Sequence, residues 1–152
     1  MVTSVSPPEE ALPQTIDRLW ETIPLVWGQM RGNVRAIASE RFDISVQQFR
    51  VLRHIRRGTR STSELAATIH TSPPAISQCV DALVEKGLVT RRQSVQDRRC
   101  VELELTHAGA DVLNAIFEEN RRWLAQKLAS LSPGEMSSIL QGLSVLKSAF
   151  FE

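Results

Sequence analysis

The sequence has 152 residues and a mass of 17.0 kDa, with 42% hydrophobic and 23% charged residues. A chain of this length fits one domain and buries roughly 68–70% of its unfolded surface, so its two cysteines, Cys79 and Cys100, are not needed as a disulfide staple. A net charge of +1 with ordinary apolar content argues against disorder, and the longest uncharged stretch, residues 65–80, contains Pro73-Pro74 and falls short of the ~20 apolar residues of a membrane span.

Residues 1–10 have neither the basic start nor the apolar run of a signal peptide and read as a disordered arm before a single domain over 11–152, which places the protein in a reducing cytoplasm. From Pro13 an apolar series, Ile16, Leu19, Trp20, Ile23, Trp27, Met30, Val34 and Ile37, advances in steps of three and four, the period of a long amphipathic helix. Pro24 lacks an N–H and crowds the previous turn, so a kink or a division is expected there. Ser45-Val46-Gln47-Gln48 is a capping box that opens a helix with Phe49, Val51, Leu52 and Ile55 inside. Arg50, Arg53 and Arg57 fall on the side opposite Val51, Leu52 and Ile55, and Gly58 is the expected stop.

A second capping box, Ser61-Thr62-Ser63-Glu64, starts a short helix with Leu65, Ala66 and Ile69 on its apolar side. After the brief turn His70-Thr71-Ser72, Ser72 is expected to cap the next helix and Pro73 to take its first position, where a missing N–H is harmless. That helix turns Ile76, Val80, Leu83 and Val84 inward and ends before Gly87. Beyond Gly87 the period falls from 3.6 to 2: residues 88–90 and the alternating Val101-Glu102-Leu103-Glu104-Leu105 read as two strands, with an arginine-rich tip over residues 91–99. A helix capped by Thr106 is expected over about 107–130, and Ser132-Pro133-Gly134-Glu135 opens a last one carrying Ile139, Leu140, Leu143, Leu146 and Phe150.

The small net charge conceals a basic centre. Residues 50–99 hold ten Lys and Arg against four Asp and Glu, a surplus of +6, and leave the flanks at −5. Such asymmetry points to a polyanion-binding centre carried by flanks with another task. Helix, tight turn, helix and two-stranded ribbon over residues 45–106 is the order of a winged helix-turn-helix, giving a mainly α fold with a small β-ribbon. In that geometry the helix after Ser72 enters the DNA major groove. Its exposed residues are expected to be Pro74, Ala75, Ser77, Gln78 and Asp81. Gln78 suits adenine, Ser77 a base or a phosphate, and Pro74 or Ala75 a thymine methyl. Ser61, Thr62 and Ser72, at helix starts, suit phosphate oxygens. In the tip, Arg91, Arg92, Arg98 and Arg99 suit the negative potential of a minor groove, with Asp97 placed to hold Arg99.

These residues carry a family resemblance. Phe49-x-x-Leu52-x-x-Ile55, Ser63-Glu64-Leu65-Ala66, Ser72-Pro73-Pro74-Ala75-Ile76-Ser77, Leu83-Val84-Glu85-Lys86-Gly87-Leu88-Val89-x-Arg91 and Asp97-Arg98-Arg99-x-Val101-x-Leu103-x-Leu105-Thr106-x-x-Gly109 resemble the MarR (multiple antibiotic resistance regulator) family. The match is near-continuous from about residue 42 to 109. It implies a homodimeric transcription regulator, usually a repressor, whose terminal helices interlock. It also implies that residues 73–86 form the recognition helix, with Arg99 in the minor groove and Asp97 as its support. Without the family, the apolar stripes of residues 11–40 and 107–152 exceed what a small winged domain covers, which favours a two-fold dimer on a pseudo-palindromic operator.

Similar proteins often bind small anionic aromatic ligands between the dimer region and the winged domain, which makes Trp20, Trp27, Phe49, Arg50 and His54 candidates by analogy. A thiol sensor through Cys79 or Cys100 is an alternative, although both cysteines read more simply as small buried hydrophobes. A winged module that binds another protein rather than DNA is another alternative. His54, His70 and His107 have no His or Cys partner at helical spacing, so no zinc site is expected. No nucleophile elbow, phosphate loop or carboxylate pair suggests an enzyme, and no cofactor is called for.

Overall fold

A computed structural model describes residues 11–94 and 101–151; the arm expected over residues 1–10 lies outside them. The described elements are α1 (Ala11–Phe42), α2 (Val46–Arg56), α3 (Thr62–Ile69), α4 (Pro73–Glu85), β1 (Val89–Gln93), β2 (Val101–Leu105), α5 (His107–Leu128) and α6 (Pro133–Phe151). Contacts group the chain into two compact units, one up to Asn120 and one from Arg121 onward.

In the first unit, α1 runs unbroken through Pro24, so the division expected there does not occur. Proline deprives the carbonyl four residues back, that of Trp20, of its helical donor, and this stretch of α1 is exposed, where water can supply the bond. The Ser45 capping box is complete: the Gln48 amide donates to Ser45 Oγ at 3.1 Å, and the Ser45 amide donates to Gln48 Oε1 at 3.0 Å. The box at α3 differs from expectation. Ser61 Oγ accepts from the Glu64 amide at 3.2 Å, but Glu64 Oε2 accepts from the Arg60 amide, one residue before the cap.

One core joins these elements. Val51, Leu52, Leu65, Ile76, Val80, Leu83, Leu113 and Ile116 are fully buried, and Ala38, Ile44 and Ile69 close around them. Val84, expected inside, is only partly covered, while Cys79 is buried, in line with its reading as a small hydrophobe. Helix α4 ends in a Schellman motif: the Gly87 amide donates to the Val84 carbonyl and the Leu88 amide to the Leu83 carbonyl, each at 2.9 Å. Gly87 sits there at φ 70°, a left-handed conformation that glycine adopts without a Cβ clash.

Strands β1 and β2 pair antiparallel, with Val89 opposite Leu105, Arg91 opposite Leu103 and Gln93 opposite Val101. The first strand thus begins after Leu88, which the Schellman motif occupies, and continues through Gln93. Arg91 and Arg92, expected in the tip, are strand residues. The Leu103 amide donates to the Arg60 carbonyl at 2.7 Å, so α3's approach segment covers part of the ribbon edge.

A single threonine fixes the ribbon to α5. Thr106 Oγ1 donates to the Gly87 carbonyl at 2.6 Å and accepts from the Gly109 amide at 3.0 Å, and the Thr106 amide donates to the Leu88 carbonyl at 3.1 Å. Gly109 lies so close that a Cβ there would stand 2.1 Å from the Leu88 carbonyl oxygen.

The second unit comprises the end of α5 and α6, opened by the Ser132 capping box, in which the Ser132 amide donates to Glu135 Oε2 at 2.8 Å. None of its described side chains is buried.

Gly109→Ala is expected to lower stability by about 1–3 kcal/mol in urea titration. Backbone must move to admit the methyl, and this outweighs the ~1 kcal/mol that alanine gains over glycine inside a helix. An unchanged midpoint would show that the Thr106 junction is loose.

Candidate nucleic-acid interface

The α3–turn–α4 pair is set by local chemistry. His70 adopts the left-handed region at φ 56°, and the Thr71 and His70 amides close back onto the Ala66 and Ala67 carbonyls, which ends α3 within one residue. Ser72 then takes the extended N-cap conformation and Pro73 the first helical position. Ser72 makes no side-chain cap bond, contrary to expectation. Two prolines occupy the first turn, and proline has no N–H to offer the Ser72 hydroxyl. Ser72, Pro74, Gln78 and Asp81 are exposed, whereas Ala75 and Ser77 are partly covered. Of the residues at the start of α3, Ser61 Oγ already accepts from the Glu64 amide and lies 3.1 Å from Ser63 Oγ, and Thr62 is partly covered.

The described ribbon carries its cations in ion pairs. Arg91 Nη2 lies 2.7 Å from Asp81 Oδ1 on α4, and Arg92 Nε 3.2 Å from Glu104 Oε2 across the ribbon. Arg60 Nη1 lies 2.9 Å from Glu102 Oε2. Hydrogen bonds from Ser94 and then Arg60 hold the Glu102 carboxyl below the ordinary carboxylate range, and the same bond to Glu102 raises the Arg60 guanidinium. The partners Asp81, Glu102 and Glu104 were not anticipated. Strict alternation in β2 places Glu102 and Glu104 on one ribbon face, which is the signal that could have found them. Asp97, Arg98, Arg99 and Cys100 lie outside the described residues.

A cleft of about 490 Å³ opens between α1, α2 and α5 within the first unit. Trp27, Phe49 and Arg50, expected from the sequence, line it, but Trp20 and His54 do not. Trp20 stands 77% exposed on α1, on the same side as Trp27 but two turns farther toward the N-terminus, and does not line the cleft. His54 is partly covered on α2, and burial first, then Arg57, Arg53 and Arg50, push its pKa down.

The sequence reading missed Met30, Arg31, Arg35, Arg53 and Phe117. Arg31 and Arg35 follow Trp27 at steps of four, a legible helix stripe, but Phe117 joins them only through the fold. Phe49 and Phe117 rings stack tilted at 6.0 Å, and the Arg53 guanidinium lies 5.8 Å from the Phe49 centroid. Arg31, Arg35, Arg50 and Arg53 form no ion pair among the described residues. Arg50 Nη2 donates to the Ile69 carbonyl at 3.2 Å. The cleft therefore combines aromatic walls with positive charge that no acid among the described residues pairs.

Cys79 is 9% exposed, and burial pushes its thiol up to about 11. Among the described residues no cluster of three His, Cys, Asp or Glu could hold a metal ion, and no helix is long and apolar enough to cross a membrane.

A sequence profile of the MarR family matches residues 44–101. The uncharacterized HTH-type transcriptional regulator YfiV of Bacillus subtilis is 31% identical over 110 residues, 72% of this chain and 69% of the relative. The transcriptional repressor MprA of Escherichia coli K12 is 32% identical over 79 residues, 52% of this chain and 45% of MprA. Among solved structures, wild-type MarR from E. coli superposes with a TM-score of 0.69 at 26% identity, covering 84% of this chain and 95% of that one. A MepR mutant from S. aureus, bound to an oligodeoxyribonucleotide, superposes with a TM-score of 0.67 at 19% identity over 84% of this chain and 94% of that one.

With Cys100 replaced by serine, the native protein is expected to resist Ellman's reagent at pH 8 and to react fully only on unfolding, because a buried thiol with a raised pKa is neither ionised nor accessible. Rapid native labelling would restore the thiol-sensor alternative at Cys79.

Proposed function

Since the chain belongs to the MarR family, we propose that it is a homodimeric repressor that grips a pseudo-palindromic operator and releases it when a small aromatic anion fills the cleft beside Trp27. Regulation of transcription by binding DNA, without catalysis, comes with the family. The observation that carries the reading is α4 itself, whose inner face is anchored in the core by Ile76, Val80 and Leu83 while Pro74 and Gln78 remain exposed near its N-terminus. A helix held this way offers those residues to a major groove.

In this reading Gln78 pairs with adenine, Ser77 takes a base or phosphate, and Pro74 with Ala75 meets a thymine methyl. Backbone amides at the starts of α3 and α4, beside Ser61, Thr62 and Ser72, meet phosphate oxygens. Arg99, steadied by Asp97, enters the minor groove, and Arg91, Arg92 and Arg98 add charge around it. The oligodeoxyribonucleotide bound to MepR supports DNA as the partner. In a cell without a nucleus, such as those of the relatives, a protein that works on DNA works in the cytoplasm.

Dimerisation is supported by unpartnered apolar surface. Trp20, Leu25 and Trp27 on α1 are 77%, 71% and 54% exposed, and Leu140 and Phe150 on α6 are 66% and 72% exposed. Covering such faces in a two-fold dimer, through residues 11–40 and 107–152, would present two α4 helices about 34–36 Å apart. The cleft's aromatic walls and four arginines support the class of ligand.

Duplex from upstream of the protein's own gene is expected to bind a dimer, seen by light scattering, with a log–log salt slope of about −0.9 per phosphate contacted. Arg99→Ala is expected to weaken that complex by about 1–3 kcal/mol with the dimer intact, and Gln78→Ala to reduce preference among sequences more than affinity for random DNA. A monomer indifferent to duplex in dilute salt would leave the protein-binding alternative.

An aromatic acid is expected to raise the operator Kd at least about tenfold, about the scale of a modest allosteric coupling. Arg35→Ala should abolish that response. Release unaffected by Arg35→Ala would move the ligand out of the cleft.

A further inference from the structure

We propose that Asp81 is an affinity-setting residue that holds Arg91 away from the DNA backbone, so that a duplex of any sequence gains one phosphate contact fewer than the arginines of the wing would otherwise make. This rests on the reading of α4 as the helix that enters DNA. Asp81 lies three and four residues beyond Gln78 and Ser77, so it shares their side of α4. Arg91 sits opposite Leu103 in the ribbon. Paired residues of an antiparallel ladder share a face, and buried Leu103 marks the face turned toward the body of the protein. From that face Arg91 Nη2 meets Asp81 Oδ1 at 2.7 Å.

The geometry gives Asp81 two effects of the same sign. Its carboxylate is an anion on the surface that approaches phosphates, and it cancels a cation of the wing, Arg91. Both lower the electrostatic affinity that every duplex sequence shares. Contacts to base edges from Gln78 and Ser77 are unaffected, so adhesion falls for every sequence alike while the differences between sequences stay as the base edges set them. The pair is also suited to opening. The Arg91 and Asp81 side chains are 41% and 56% exposed, and an ion pair in such water contact is worth at most about fivefold in an equilibrium constant. A phosphate at the right distance can replace the carboxylate. Arg92 is held differently, by Glu104 within the ribbon itself, so its pairing does not sense α4.

The test is binding of a 30-base-pair duplex of random sequence, followed by fluorescence anisotropy from about 50 to 200 mM salt. Asp81→Asn is expected to tighten binding about threefold to tenfold and to steepen the salt slope by about 0.9, one additional phosphate contact. Asp81→Glu, which keeps the charge, should retain the parent slope, and Asp81→Asn with Arg91→Gln should lose the steepening. A merely bracing role predicts the opposite: Asp81→Asn lowers the melting temperature and leaves binding weaker or unchanged at the parent slope, which overturns the proposal. If neither the parent nor Asp81→Asn binds duplex in dilute salt, the reading of α4 fails and this inference falls with it.

Discussion

Thr106 is the point at which the end of α4, the root of the ribbon and the start of α5 are held together. Its hydroxyl bridges the Gly87 carbonyl and the Gly109 amide, and its own amide holds the Leu88 carbonyl. The chain leaves α4 by a Schellman turn at Gly87 and must enter β1 immediately, so the angle between helix and ribbon is set within two residues. Gly109 lets α5 approach the Leu88 carbonyl more closely than any side chain would permit. The relative position of α4 and the wing, on which any simultaneous contact with two DNA grooves depends, follows from this junction rather than from the loop at the far end of the ribbon.

Electrostatics on the same face are more balanced than a count of charges suggests. The basic surplus of residues 50–99 is met by Glu102 and Glu104, which lie just beyond it in sequence and directly opposite it in the ribbon. Arg60 and Arg92 are paired there, and Arg91 with Asp81. Exposed pairs of this kind add little stability but remove much of the free charge that would bind any polyanion. The arginines of the cleft behave differently: Arg31, Arg35, Arg50 and Arg53 line it beside aromatic rings, and none of them pairs with an acid among the described residues. Burial and the nearby Arg57 push the Arg53 guanidinium down, which is the penalty of crowding like charges in a partly dry site. An anion relieves that penalty, and Arg50 connects the site to the end of α3 through the Ile69 carbonyl.

The sequence by itself determined the local elements, because helix and strand periods, capping boxes and breakers act within a few residues. Ser45, Ser61, Ser132 and Thr106 start helices where their residue types demand, Gly87 ends α4, and the alternating residues 101–105 form a strand. The exposed Pro74 and Gln78 of α4 were legible for the same reason, since a helix in which Ile76, Val80 and Leu83 face inward leaves them outside. Family resemblance extended this to a regulator of transcription.

Tertiary structure decided what depends on residues distant in sequence. The ribbon's length came from pairing, which drew Arg91 and Arg92 out of the expected tip and into contact with Asp81 and Glu104. Val84 packs against the edge of the core rather than inside it, because the neighbouring elements, not the helix period alone, choose which flank of a helix is covered. The cleft needed α1, α2 and α5 together, so Phe117 joined Trp27 and Phe49 while Trp20 and His54 stayed out. Pro24 passed within a continuous helix because exposed backbone at that point can turn to water for its missing bond. A one-dimensional pattern specifies which face of an element is apolar; only packing in three dimensions specifies which neighbour meets it.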